Sequence, residues 1–227
     1  MNPRDHLALA LDVSSADEAL RLVEQTAASV GVYKIGMQLF YAEGPALVRR
    51  IKGQGRKVFL DLKLHDIPNT VASAVRSLTP LGVDFLTLHA GGGPAMLRAA
   101  ADAAGDMRLL AVTVLTSMDG EELQSVGIAQ PPADQVLQLA LLAQAVGIGG
   151  LVCSAHEAKL LRQSLGSDAF LVCPGIRPPG SDQGDQKRVA TPVEALADGA
   201  NLLVIGRPIR SAKDPGLAAR QILESLT

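Results

Sequence analysis

Short apolar runs alternate along the whole chain with longer stretches of helical periodicity. The runs cover residues 7–13, 32–35, 57–62, 85–89, 109–115, 150–153, 170–173 and 202–205. Their apolar residues are successive rather than alternating, which predicts strands buried on both faces, as in a parallel sheet. Between them the capping and breaking residues mark helices. Ser14-Ser15-Ala16-Asp17 offers a cap and an acidic first turn before residues 18–30. Pro45 opens a helix predicted over 45–52, and Gly53 closes it. Further helices are predicted from 68 to about 81, from 93 to about 105, over 132–146 and 154–165, from Thr191-Pro192 to Gly199, and over 215–226.

Strand followed by helix, eight times in 227 residues, predicts a (β/α)₈ barrel near the lower size limit of that fold. A doubly wound open sheet is the second topology compatible with the pattern. No G-x-G-x-x-G turn follows the first run, which weakens a dinucleotide-binding reading. Neither a linker nor a repeat beyond the strand–helix period interrupts residues 1–227, so one domain is expected. Two connections are long, 116–132 and 174–189, and loops of that length are more often functional than idle.

Composition narrows the field. Apolar residues make up 48%, charged residues 19% and aromatics 3%, with no Trp. That supplies a large aliphatic core and no aromatic platform for single-stranded nucleic acid. A net charge of −2 argues against general attraction to nucleic acid or to anionic membrane. No run reaches the ~18 apolar residues of a spanning helix, and the first residues carry no apolar signal core. The expectation is a soluble cytoplasmic protein with no nucleic-acid or membrane partner. Cys153 and Cys173 each end an apolar run; they read as buried thiols rather than a disulfide.

In a barrel the active site forms at the C-terminal ends of the strands. Asp12 ends the first run, Lys34 lies in the second, and the third leads into Asp61-Leu62-Lys63-Leu64-His65-Asp66. Strand residues i and i+2 share a face, so Asp61 and Lys63 should point together. Together these residues predict a lattice of ammonium and carboxylate groups at the barrel mouth. A structural salt-bridge cluster would read the same way. A lysine flanked by carboxylates is held in its charged form. It then serves as an electrostatic anchor or proton donor rather than a Schiff-base nucleophile. Gly206-Arg207-Pro208-Ile209 after the eighth run, with Arg177 and Gln186 after the seventh, matches the loops where barrels hold phosphate. His89 reads as a structural imidazole. No pair of ligands has zinc spacing, and no metal is expected.

The motifs Asp61-Leu-Lys63-Leu-His-Asp66-Ile67-Pro68-Asn69-Thr70, Leu9-Ala-Leu-Asp12, Tyr33-Lys34-Ile-Gly36, Val112-Thr-Val-Leu-Thr116-Ser117, Pro174-Gly-Ile-Arg177-Pro178 and Ile205-Gly206-Arg207-Pro208-Ile209 occur in order. Together they resemble the orotidine 5′-phosphate decarboxylases, over residues 7–209. The resemblance implies a cofactor-independent carboxy-lyase that makes UMP and carbon dioxide from orotidine 5′-phosphate. It implies that Lys63 donates a proton to C6 of the pyrimidine, that Asp61 and Asp66 flank it, and that Asp66 presses on the substrate carboxylate. By the same resemblance Asp12 and Lys34 would bind ribose hydroxyls, Thr116 and Ser117 the pyrimidine, and Arg177, Gln186, Gly206 and Arg207 the phosphate. Asp66 and Thr70 would act across a homodimer interface, in the partner's site. Sister enzymes on this barrel, the 3-keto-gulonate-phosphate decarboxylases and hexulose-phosphate synthases, share the D-x-K-x-x-D core but use magnesium, held by an acid at the end of the second strand. Lys34 stands there in this chain. A catalytically silent nucleotide-binding regulator would be expected to lose a member of the lattice, and none is missing.

Overall fold

Leu7 and Leu9 pack under the helices, whereas Ala8 and Ala10 pack against one another's counterparts inside a ring of strands. This two-sided burial repeats around a closed parallel barrel in the computed structural model, which describes residues 2–179 and 189–226. The strands are β1 (Leu7–Ala10), β2 (Val32–Gly36), β3 (Lys57–Leu64), β4 (Phe85–His89), β5 (Arg108–Val112), β6 (Gly150–Val152), β7 (Phe170–Cys173) and β8 (Leu202–Ile205). They pair in chain order, and β8 closes on β1 through Leu7↔Leu203 and Leu9↔Ile205.

The helices around the ring are α1 (Ala16–Thr26), α2 (Met37–Gly53), α3 (Pro68–Leu78), α4 (Gly93–Ala103), α5 (Gly120–Ser125), α6 (Pro132–Ala145), α7 (Ala155–Leu165), α8 (Pro192–Ala197), α9 (Arg207–Arg210) and α10 (Pro215–Glu224). Ser15 caps α1 through the Glu18 amide, as the acidic first turn predicts. The second helix differs from its prediction and begins at Met37 rather than Pro45. Gly44, at φ 61° and ψ −159°, kinks it, so the chain turns and restarts at Pro45. The long 116–132 connection also holds helix α5, opened by an Asp119–Glu122 capping box.

Large side chains fill the floor of the barrel. Phe85 stacks on Phe170 at 5.6 Å, Phe59 meets Phe85 edge-on at 6.1 Å, and the Arg108 guanidinium caps Phe170 at 4.5 Å. Aromatic packing therefore fills the N-terminal end of the barrel. Above Phe59 the inward residues change to Lys34, Asp61 and Lys63, and the ring opens.

Strand β3 runs further than its apolar run, to Leu64, and is irregular. Leu60 pairs with Leu86 and Leu64 with Leu88, so residues 61–63 stand opposite Thr87 alone. This bulge carries the predicted charged segment.

Candidate active site

A cavity of about 580 Å³ opens at the C-terminal mouth of the barrel. Asp12, Lys34, Asp61, Lys63, Thr116, Ser117, Arg177, Gly206 and Arg207 all line it, drawn from six different strand ends. Val112, Val152, Val172 and Val204 form its apolar floor and walls, a setting suited to a flat organic ring beside charged groups.

The charges form one chain of contacts. Lys34 Nζ lies 3.2 Å from Asp12 Oδ1 and 3.3 Å from Asp61 Oδ2. Lys63 Nζ donates to Asp61 Oδ1 at 2.7 Å. The signs alternate Asp12, Lys34, Asp61, Lys63, so each inner group has an opposite charge on both sides. Burial opposes the charge on Lys34, but the Asp61 and Asp12 carboxylates outweigh it and hold the ammonium above its ordinary range. Burial likewise opposes the charge on Asp61. Lys34 and Lys63 outweigh it, with hydrogen bonds from Lys63 and Thr87, and hold the carboxyl below the ordinary aspartate range. Both groups stay ionised across the physiological range.

Lys63 reaches Asp61 from an unusual backbone. At φ 49° it is the positive-φ residue other than glycine among the described residues, a conformation that costs about 1–2 kcal/mol for a residue with a Cβ. The pairing of Asp61 and Lys63 agrees with strand alternation, but the bulge brings it about. The chain turns at Lys63 and leads to His65, which is not among the residues that line the cavity. Its ring packs 5.4 Å from that of His89. Burial, then the charges of His65 and Lys63, push the His89 imidazole below its ordinary value.

Asp66 and Thr70 are not brought into this cavity. They lie exposed on the turn into α3 and in its first turn, and Asp66 accepts a hydrogen bond from the Ile67 amide. Gln186 lies outside the described residues. Arg177 is anchored at the base of its loop: its amide donates to the Ala190 carbonyl at 2.9 Å, and its Nη1 to the Ile176 carbonyl at 2.9 Å. One charged cavity residue lies outside the motifs. Arg210, three residues after Arg207 in α9, donates from Nη1 to the Asp12 carbonyl oxygen at 2.6 Å and braces the loop that carries Asp12. Its spacing from Arg207, one helical turn, is the sequence feature that marks it. Cys153 and Cys173 are buried thiols not joined in a disulfide, their sulfurs 3.9 Å apart.

Comparison with known proteins agrees with the geometry. The sequence pattern of the Orotidine 5'-phosphate decarboxylase / HUMPS family matches residues 5–222. An orotidine 5'-phosphate decarboxylase of Anaeromyxobacter dehalogenans is 51% identical over 227 residues, covering 100% of both chains. That of Frankia casuarinae is 49% identical, covering 99% of this chain and 88% of its own. The crystal structure of orotidine 5'-phosphate decarboxylase from Lactobacillus acidophilus superposes with a TM-score of 0.87 at 38% identity, over 97% of this chain and 98% of that one. Eight parallel strands, a charge lattice at their C-terminal ends and full-length similarity at this level place the chain in the orotidine 5'-phosphate decarboxylase / HUMPS family.

Proposed function

We propose that this protein decarboxylates orotidine 5′-phosphate to UMP and carbon dioxide, the last step of de novo pyrimidine synthesis, using its own side chains and no metal or cofactor. The observation that carries this reading is the unbroken row Asp12–Lys34–Asp61–Lys63 along one wall of the cavity.

In the reaction the bond between C6 and the carboxylate breaks and its electron pair stays on C6. Carbon dioxide leaves, and a proton passes from Lys63 Nζ to C6; water then returns a proton to the amine. An ammonium held beside C6 stabilises the developing charge before it quenches it. Asp61 fixes that ammonium at 2.7 Å. Arg177 and Arg207, on the loops after β7 and β8, supply positive charge for the phosphate together with Gly206, and Gln186 is proposed as a further phosphate ligand. Phosphate is remote from C6, so its binding energy is available to position the reacting ring. Asp12 and Lys34 face the ribose, and Thr116 and Ser117 the pyrimidine.

The HUMPS branch of the family would use the same barrel with a divalent cation. The donor set here does not suit one. The Lys34 ammonium stands between the Asp12 and Asp61 carboxylates, and its charge would repel a dication at that position. No step is therefore assigned to a metal.

The active assembly is a homodimer. Asp66 and Thr70 are exposed and outside their own chain's cavity, and Ile67 between them is 67% exposed, an apolar side chain left in water. A second copy covering this turn would bury Ile67 and deliver Asp66 and Thr70 to the neighbouring site. There Asp66 would stand against the substrate carboxylate.

The test is direct. EDTA-treated protein is mixed with orotidine 5′-phosphate and the pyrimidine absorbance is followed, with Lys63→Ala as control. Turnover by the wild type alone supports the substrate, the metal independence and the lysine together. Folded wild-type protein without turnover overturns the reading, and turnover that needs added magnesium overturns its cofactor independence.

A further inference from the structure

Thr87 is a polar residue within the apolar strand Phe85-Leu86-Thr87-Leu88. It is fully buried and is not among the residues that line the cavity. It stands alone opposite residues 61–63, at the centre of the β3 bulge. A bulge interrupts the ladder and leaves backbone groups to be satisfied some other way. Here the Lys63 amide donates to Thr87 Oγ1 at 2.9 Å, and the same hydroxyl donates to Asp61 Oδ1 at 3.0 Å. Asp61 Oδ1 is also the oxygen that receives the Lys63 ammonium. One hydroxyl therefore binds both ends of the bulge: the backbone of Lys63, held at positive φ, and the carboxylate that aims its side chain.

We infer that Thr87 is a positioning residue for the decarboxylation, holding Lys63 and Asp61 in reactive geometry through its hydroxyl. The inference rests on the proposed reaction. Valine has the shape of threonine but can neither accept from the Lys63 amide nor donate to Asp61. Without the hydroxyl, Lys63 loses its backbone partner and Asp61 a hydrogen bond, and the proton donor shifts relative to C6. Its contribution falls on the chemical step, because groups that position reactants act on turnover more than on phosphate-driven binding.

The experiment compares Thr87→Val and Thr87→Ser in the orotidine 5′-phosphate assay, with folding checked by circular dichroism. Thr87→Val is expected to lower kcat by about 10- to 100-fold, the scale of a sub-ångström to ångström misplacement, with KM changed less than about threefold. Thr87→Ser, which keeps the hydroxyl, stays within about threefold of wild type in both. If the valine variant does not fold, Thr87→Ala against Thr87→Ser makes the same comparison, since those two differ by one oxygen and share the lost methyl. A second readout needs no substrate. In a carbon-13 NMR titration, the Asp61 carboxyl should titrate at higher pH in Thr87→Val than in wild type, and unchanged in Thr87→Ser. A wild-type-like kcat in the hydroxyl-free variants, or equal loss in Thr87→Ser, overturns the role. Wild-type protein inactive on orotidine 5′-phosphate overturns the proposed function instead. The titration then decides Thr87 by itself: an unmoved Asp61 removes the hydroxyl's hold on the lattice.

Discussion

Lys34 and Asp61 approach to 3.3 Å across β2 and β3, and each has a second partner of opposite charge, Asp12 at 3.2 Å for the lysine and Lys63 at 2.7 Å for the aspartate. Their side chains are 10% and 15% exposed, whereas that of Asp12 at the end of the row is 50% exposed. Substitutions of the two aspartates should therefore differ.

Asp61→Asn leaves two cations facing each other without their shared anion. A destabilisation of about 3–5 kcal/mol is expected, the scale of breaking a buried ion pair. Asp12→Asn, at the solvated end, should cost about 1 kcal/mol or less. Urea denaturation of the two variants measures the contrast, and equal losses would show that the lattice is not graded by burial.

The lattice also sets a stability profile with pH. Asp61 is held below its ordinary value of 3.8, so its contribution is present above pH 3.8 and is lost as pH falls through the lowered value. Lys34 is held above 10.5, so its contribution is present below pH 10.5 and is lost as pH rises through the raised value. His89 is held below 6.5, so as pH falls past 6.5 the unfolded chain takes up a proton that the folded one resists, and stability declines. His89→Gln should flatten the wild-type curve just below pH 6.5 without changing it above. Denaturation midpoints collected against pH read this out, and an unchanged slope would remove His89 from the account.

Shared sites predict complementation. Lys63→Ala and Asp66→Ala proteins, each nearly inactive, should regain activity when mixed and allowed to exchange subunits, because one site of each mixed dimer keeps both residues. No recovery after exchange, verified by mass spectrometry of the mixed species, would count against a contribution in trans.

Arg207→Ala removes a guanidinium from the cavity rim. A rise in KM of about 10- to 100-fold is expected, in line with the loss of one or two charge-assisted hydrogen bonds, with the melting temperature unchanged. Steady-state kinetics on orotidine 5′-phosphate check it; unaltered KM would take Arg207 out of the phosphate site.

Local chemistry in the sequence was enough for eight alternating strands and helices, with a barrel preferred over a doubly wound open sheet; closure itself is the pairing of β8 with β1. Runs such as 170–173 and 202–205 are apolar at every position because each strand is buried against both the interior and the helices, and that pattern has few other uses. Breakers such as Pro68 and Gly166 marked helix ends because their backbone requirements are local. The same strand ends indicated Asp12, Lys34, Asp61 and Lys63 as cavity residues. Three features needed the tertiary structure. The helical turns ahead of the Gly44 kink, from Met37, needed the folded structure, although Pro45 directly after that glycine marked the restart in the sequence. The bulge at 61–63 depends on the register between β3 and β4, which is fixed by long-range pairing and cannot be read from either strand alone. Thr87 and Arg210 meet Asp61, Lys63 and Asp12 only after barrel closure, across separations of up to 198 residues. Periodicity and turn chemistry act between near neighbours and so were legible in the chain. Hydrogen bonds between distant strands depend on where closure puts each atom, and only the folded structure decides that.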